Sequence, residues 1–183
     1  TKLNFETEIL NLGGGFGIVY TEDDKPKTPY EYIKALTDAL KTNVKDKDLK
    51  APMLIVEPGR SVVGEGGITL YSVGRVKEIP QLRNYIAIDG GMFDNPRFAL
   101  YQAKYACDMA NRMNAEKNYK ATIAGKCCES GDLIIVDALL PKPEKGDIIA
   151  VYSTGAYNYS MASNYNRNPI PPVVWVKDGK SGY

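Results

Sequence analysis

The sequence predicts two regions, a short α/β unit over residues 1–67 and a β domain over residues 68–183. In the first region, two apolar runs flank one amphipathic segment, which is the pattern of a strand–helix–strand unit. In the second region, turn residues at regular spacing separate short alternating segments, a pattern typical of an antiparallel barrel or sandwich. We therefore expect an α/β fold followed by a β domain.

The α/β unit begins and ends with a predicted strand, over residues 8–12 and 53–56. The second strand is a continuous apolar run, of the kind that is buried on both faces of a parallel sheet. Between the strands, Thr28 and Glu31 have the spacing of a capping box, with Pro29 at the first helical position. Apolar residues then recur at helical spacing, which predicts one helix face packed on a sheet: Ile33, Leu36, Leu40 and Val44.

A loop suited to anion binding follows each of these strands. The first, residues 13–17, contains three consecutive glycines, which leave backbone N–H groups unshielded by any Cβ. The second is residues 57–60, and a right-handed crossover brings both loops to the same edge of the sheet. Loops after the last two strands of a TIM barrel often hold a phosphate, which favours the C-terminal part of such a barrel. A Rossmann unit is the weaker alternative, because the glycines do not match its spacing.

Short strands separated by turns are expected throughout the β domain. The predicted strands are 69–76, 85–88, 101–106, 120–124, 133–136 and 148–152.

The composition excludes several classes of function. A net charge of +1 with no basic stripe argues against a nucleic-acid partner, and no apolar run reaches the roughly 20 residues of a membrane helix. The absence of histidine excludes Ser-His-Asp and Cys-His catalysis within this chain and removes the commonest metal ligand. The three cysteines lack the spacing of a zinc site or a disulfide framework, so we expect no metal and a reducing, cytoplasmic setting.

Five short motifs follow one another along the chain. They are GGGFG at 13–17, EPGR at 57–60, NPRFALY at 95–101, CESGD at 128–132 and GAY at 155–157. Together, in this order, they resemble the diaminopimelate decarboxylase family, pyridoxal-phosphate enzymes with the alanine-racemase-like fold. The resemblance implies a TIM barrel followed by a β domain, and it identifies this chain as the C-terminal portion of such an enzyme.

The resemblance implies a carboxy-lyase that converts meso-2,6-diaminopimelate to L-lysine, the last step of lysine biosynthesis. Members of the family bind the cofactor through a Schiff base to a lysine on an early barrel strand. Lys104 and Lys126 are not in the matching context, so we expect the isolated chain to be inactive. The alternatives are a decarboxylase of ornithine, arginine, lysine or carboxynorspermidine, and a non-catalytic homologue that binds a protein partner.

The family's site residues are carried over by motif. The positions implied for the cofactor are Gly14, Gly15, Glu57, Pro58, Gly59, Arg60 and Tyr157. The positions implied for the amino-acid substrate are Arg60, Arg97, Tyr101, Glu129 and Tyr157. Arg97 is a natural clamp for a carboxylate, and Glu129 would pair with the distal ammonium. Having one residue for each of these two groups favours diaminopimelate over simple diamino acids.

Cys128 matches the family's catalytic cysteine, the acid that protonates Cα after CO₂ leaves. Cys127 is expected to be a small packing residue, and Asp132 is expected to brace the turn. In proteins of this fold the Cys-Glu loop reaches into the partner subunit's site, so the resemblance implies a homodimer with shared active sites.

Overall fold

The structure is a computed structural model that describes residues 5–47 and 49–183. The N-terminal part holds β1 (Ile9–Asn11), α1 (Pro29–Asp46), β2 (Met53–Ile55) and α2 (Gly59–Val63). The remainder holds β3 (Thr69–Ile79), β4 (Arg83–Ile88), α3 (Arg97–Tyr101), β5 (Cys107–Met109), β6 (Tyr119–Ala124), β7 (Leu133–Leu140), β8 (Ile148–Val151), α4 (Asn158–Met161), β9 (Trp175–Lys177) and β10 (Lys180–Gly182). No helix in the described residues is both long enough and apolar enough to cross a membrane.

The N-terminal part has the predicted strand–helix–strand order. Strands β1 and β2 pair in parallel, with Ile9 opposite Met53. Helix α1 begins with the predicted capping box, in which the Glu31 N–H donates to the Thr28 hydroxyl at 3.3 Å and the Thr28 N–H donates back to the Glu31 carboxylate at 2.7 Å. The helical periodicity is confirmed, since the four apolar positions noted above form its half-buried face.

The expected burial of β2 on both faces was wrong for this chain. Met53 is 64% exposed and Ile9 is 55% exposed. The reason is that β1 and β2 form a two-stranded sheet of their own within the described residues, so no neighbouring strand or second helix layer covers them. This chain by itself therefore holds one βαβ unit and does not close a TIM barrel.

The β domain is one six-stranded sheet in the order β5-β8-β3-β4-β6-β7. Its edge strands β5 and β7 approach each other, so the sheet is nearly closed. The expectation of a wholly antiparallel sheet was wrong, because β4 and β6 pair in parallel, with Ile86 opposite Ile123. Parallel neighbours need a long crossover, and residues 89–118 supply it, passing through α3 and through the edge strand β5 before the chain returns to β6.

Five of the six strands predicted for this domain are present, and the segment 101–106 is not a strand. Here α3 runs to Tyr101, and Gln102 ends it in the left-handed region at a φ of +53°. Strand β5 then begins at Cys107. The apolar–polar alternation in this segment has another cause. The segment is an irregular connection from which the Tyr105 side chain, 4% exposed, packs into the core.

The core lies inside the nearly closed sheet. Its members come from every strand of the sheet, and the fully buried ones include Val73, Ile86, Met109, Ile123, Ile134, Leu140 and Ile149. Branched aliphatic side chains pack well on a pleated surface, which is why the strands of this domain are rich in isoleucine and valine.

A main-chain junction joins α2 to the sheet domain. The Gly155 N–H donates to the Gly64 carbonyl at 2.9 Å, and the Thr154 N–H donates to the Gly67 carbonyl at 3.0 Å. A Cβ on Gly155 would lie 2.0 Å from the Val63 carbonyl oxygen, so only glycine permits this approach. The junction fixes α2 beside the chain that leads into α4.

Replacing Ile123 by Ala in the centre of the sheet should lower the free energy of unfolding by about 2–5 kcal/mol, because the cavity is fully enclosed. Leu139→Ala on neighbouring β7 is the matched control, since Leu139 is 54% exposed, and its effect should stay within about 1 kcal/mol. Urea unfolding followed by circular dichroism measures both. Equal losses in the two variants would contradict the core described here.

Candidate active site

The two predicted anion-binding loops lie side by side. The Asn11 side chain donates to the Glu57 carboxylate at 2.6 Å, and the Glu57 N–H donates to the Gly13 carbonyl at 2.7 Å. A Cβ on Gly14 would stand 2.5 Å from the Glu57 carbonyl oxygen, so glycine is required for this contact. The βαβ unit therefore brings the two loops together as the sequence predicted.

The glycine loop presents free donors. Gly13 and Gly15 adopt φ values of +68° and +88°, in the left-handed region that favours glycine. Their Cβ positions face open space. In the described part of the chain, no group accepts a hydrogen bond from the Gly14 or Gly15 N–H. Adjacent N–H groups without an internal partner form a concavity suited to an anion.

Arg60 lies on α2, one residue after Gly59. Its guanidinium carbon is 5.7 Å from the ring centroid of Tyr157 and 6.0 Å from that of Tyr20. Its Nε is buried and has no hydrogen-bond partner among the described residues. Arg60 is thus held by aromatic faces, with donors left for a ligand.

Arg97, the first residue of α3, is only 8% exposed. Its Nη1 donates to the hydroxyls of Tyr20 at 3.0 Å and Tyr105 at 2.8 Å. Burial alone would lower the pKa of Arg97, but the two tyrosines outweigh burial and raise the pKa above its ordinary value. Arg97 is therefore a buried, permanently charged group.

Both arginines contact one aromatic ring. The guanidinium carbon of Arg97 is 5.5 Å from the ring centroid of Tyr157, which Arg60 faces at a similar distance. Tyr157 has a φ of +73°, a rare backbone conformation for a non-glycine residue that is often found at functional sites. We call Arg60, Arg97, Tyr157, Tyr20 and Tyr105 the cation cluster. Among the described residues, no carboxylate forms an ion pair with either arginine of the cluster.

Sequence reasoning missed Tyr20 and Tyr105. Tyr20 follows the glycine loop and Tyr105 lies in an irregular connection, so neither belongs to a periodic pattern. With thirteen tyrosines in the chain, no local signal distinguishes these two. Tyr101 was predicted to face the substrate, but it is 65% exposed, and no described hydrogen bond or ring contact joins it to the cation cluster.

The Cys-Glu loop is separate from the cation cluster. Cys128 is exposed, and its N–H donates to the Asn166 side chain at 2.7 Å. The exposed Glu129 carboxylate accepts only from its own turn, including the Gly131 N–H at 3.3 Å. Within residues 5–47 and 49–183, no hydrogen bond, ion pair or cation–π contact links either side chain to Arg60, Arg97 or Tyr157.

Cys127 and Asp132 flank the exposed residues Cys128 and Glu129 and are less exposed than they are. Burial, followed by the charge of Asp132, raises the pKa of the Cys127 thiol, which suits a packing residue. Asp132 accepts from the Met92 N–H at 2.6 Å and from the Cys127 N–H at 2.7 Å, so it braces the turn as expected. No group of three or more Cys, Asp or Glu side chains in the described residues could hold a metal ion.

A family model described as "Pyridoxal-dependent decarboxylase, C-terminal sheet domain" matches residues 19–155, which include the whole nearly closed sheet. The chain belongs to this family. It is 53% identical to diaminopimelate decarboxylase from Bacillus subtilis, over 97% of this chain and 40% of that protein. It is 55% identical to diaminopimelate decarboxylase from Staphylococcus aureus, over 96% of this chain and 42% of that protein.

Among solved structures, diaminopimelate decarboxylase from M. jannaschii in complex with L-lysine superposes with a TM-score of 0.86. It is 37% identical, over 98% of this chain and 40% of that one. The chain therefore spans about two fifths of the length of the relatives that it matches.

In this decarboxylase sheet domain, Asp94 lies in the loop before Arg97. Its carboxylate accepts from the Tyr71 hydroxyl and from the Gly91 N–H at 2.9 Å. Burial raises the pKa of Asp94 to about 6, and these hydrogen bonds only partly oppose the shift. No motif pointed to Asp94, because a buried acid in a glycine-rich turn has the same sequence pattern as a surface turn.

The substitution Asp94→Asn tests whether the pKa of Asp94 is raised in the folded protein. Because the folded-state pKa lies above the ordinary 3.8, the folded state binds the proton more tightly, and wild-type stability falls as the pH rises through 6. Between pH 4 and 7 the difference in unfolding free energy should therefore move in favour of the variant by about 2 kcal/mol.

Asp147→Asn is the control. Burial alone would raise the pKa of Asp147, but hydrogen bonds from Asn111, the Glu144 N–H and Arg112 outweigh it and lower the pKa. The stability that Asp147 contributes is therefore lost only as the pH falls below its ordinary range. The difference in unfolding free energy between Asp147→Asn and wild type should therefore stay constant between pH 5 and 7. A flat profile for Asp94→Asn over the same range would contradict the raised pKa.

Proposed function

We propose that this chain is the C-terminal portion of a diaminopimelate decarboxylase, a lyase that removes one carboxylate of meso-2,6-diaminopimelate to give L-lysine. The observation that carries the proposal is the cation cluster. Two arginines without a carboxylate partner lie against one tyrosine in a chain that is more than half identical to enzymes of that name. Such a cluster suits a substrate or cofactor with several negative charges.

The residues present fit pyridoxal phosphate as the cofactor. The free N–H groups of Gly14 and Gly15 suit the phosphate, and the unpartnered Arg60 Nε is a further donor near Tyr157. Asn11 and Glu57 hold the two loops in register, with Pro58 and Gly59 shaping the second loop. When bound, the cofactor would accept the electron pair that remains at Cα as CO₂ leaves.

Arg97 and Glu129 would bind opposite charges of the substrate. Arg97 is charged, buried and fixed by two hydroxyls, so its remaining N–H donors can clamp a carboxylate. Glu129 is exposed, and no lysine or arginine among the described residues forms an ion pair with its carboxylate, so an ammonium group suits it. We place Tyr101 at the rim of the site, because it is exposed at the end of the helix that Arg97 begins.

Cys128 would donate the proton to Cα. Its side chain is exposed on a loop whose main chain is held by Asn166. A positioned thiol can act as a general acid. The neighbouring Cys127 is less exposed than Cys128.

We propose a homodimer in which the Cys128–Glu129 loop completes the partner subunit's site. The proposal is supported by the absence, among the described residues of one chain, of any hydrogen bond between this loop and the cation cluster. We also assign residues 1–67 to the last part of a TIM barrel, because the exposed apolar faces of β1 and β2 would be covered by the other barrel strands. Three cysteines without a disulfide suit the cytoplasm.

A chimaera tests the function. The chain is joined behind the part of the B. subtilis relative that precedes the matched region, and lysine release from meso-diaminopimelate is measured with pyridoxal phosphate present. The chimaera should turn over diaminopimelate, and the 183-residue chain alone should not. Preference for ornithine, lysine or arginine would contradict the substrate. A folded chimaera that binds the cofactor and turns over none of these would contradict the enzyme.

In the same chimaera, Cys128→Ala should lower kcat by about 10²–10⁴-fold, because the proton donor is lost. KM should change little, since Arg97 and Glu129 still hold the substrate. Cys127→Ala is the matched control and should keep kcat within about threefold, because only packing changes. Equal effects of the two substitutions would contradict the assignment of Cys128.

A further inference from the structure

Asp132 is a buried carboxylate that links two loops. It is 3% exposed at the start of β7. One carboxylate oxygen accepts from the Met92 N–H at 2.6 Å, and the other accepts from the Cys127 N–H at 2.7 Å. The loops also meet at a hydrogen bond from the Lys126 N–H to the Gly90 carbonyl at 3.0 Å and at the Lys126 ammonium, which lies 5.3 Å from the centroid of the Phe93 ring.

The space for this carboxylate depends on two glycines. A Cβ on Gly91 would lie 2.7 Å from an oxygen of Asp132, and a Cβ on Gly125 would lie 2.3 Å from the same carboxylate. Neither glycine has a positive φ, so backbone conformation does not require glycine at either position. Glycine is needed there because the carboxylate occupies the space that a side chain would fill.

The two linked loops carry residues of two proposed sites, because Arg97 serves its own subunit's site and the Cys128–Glu129 loop completes the partner subunit's site. Residues 89–96 lead directly into α3, whose first residue is Arg97. Residues 125–131 carry Cys128 and Glu129. A displacement of either main chain would therefore move a side chain that contacts the substrate.

We propose that Asp132 is a positioning residue that fixes the loop of Cys128 against the loop that leads to Arg97. The proposal rests on the proposed function, because it assigns the consequences of that link to decarboxylation. A carboxylate is needed because each oxygen accepts from a different loop. An amide offers one acceptor oxygen, and its NH₂ group would face the second N–H. Asparagine therefore keeps one link and breaks the other.

The test is Asp132→Asn in the active chimaera. The kcat is expressed per mole of bound cofactor, and KM is measured for diaminopimelate. Displacement of the loops should lower kcat by about 10–100-fold and raise KM for diaminopimelate. Asp147→Asn is the matched control, because Asp147 is also buried and also accepts a turn N–H, from Glu144 at 2.8 Å, but it touches neither loop. It should lower Tm and leave both constants within about twofold of wild type.

Gly125→Ala is the second variant, because its added Cβ pushes on the carboxylate and leaves Asp132 in place. It should reproduce the kinetic loss. Its control is Gly74→Ala, where the nearest atom to the added Cβ is at 3.5 Å.

Peptide-resolved hydrogen exchange should show faster exchange in both loops together in Asp132→Asn and Gly125→Ala. A wild-type chimaera without turnover would count against the proposed function, and the exchange measurement would still test the link.

Two results would overturn the proposal. In the first, Asp132→Asn and Gly125→Ala lower Tm as Asp147→Asn does and leave kcat and KM at wild-type values. In the second, only one loop gains exchange in these variants while the other keeps wild-type protection.

Discussion

The contact between two glycine-bearing segments, residues 64–67 and 154–155, joins the N-terminal part of the candidate site to the sheet domain and sets where Arg60 meets Tyr157. A Cβ on Gly67 would lie 2.3 Å from the Gly155 Cα, so the two main chains touch with no side chain between them. Because α2 ends at this contact and α4 begins just after it, Arg60 is brought to within 6 Å of the ring of Tyr157. Any larger residue would separate the two segments and remove Arg60 from the cation cluster.

A comparison of Arg112 with Arg97 supports an anion as the ligand of the cation cluster. Arg112 forms an ion pair with Asp147, so its charge is neutralised within the protein. Arg97 is more buried, yet its described hydrogen-bond partners are tyrosine hydroxyls, which are neutral. A buried charge without a counterion is costly, and a bound anion recovers part of that cost. An anionic ligand would supply the missing compensation, in agreement with the proposed function.

The sequence predicted what depends on local pattern and failed where distant segments meet. The capping box at Thr28 and five strands of the sheet follow from spacing, and they are present. The parallel pairing of β4 with β6 depends on a crossover of 30 residues, for which no short pattern exists. In the candidate site, the motifs named Arg60, Arg97 and Tyr157, and the structure places both guanidinium groups against the Tyr157 ring. The tyrosines that hold Arg97 escaped notice, because a hydroxyl that meets a guanidinium across 77 residues leaves no local signal.

The Cys-Glu loop is fixed at its base and exposed at its tip. At the base, the Cys127 N–H is held by Asp132, and the Gly125 N–H donates to the Asp132 carbonyl at 2.9 Å. At the tip, Cys128 and Glu129 point to solvent without a charged partner in the described residues. Ordering such a loop costs conformational entropy, and the exposed side chains at its tip form no contact with a charged group in the described residues that would offset this cost. Contact of the tip with a second subunit would recover that cost, which supports the proposed homodimer.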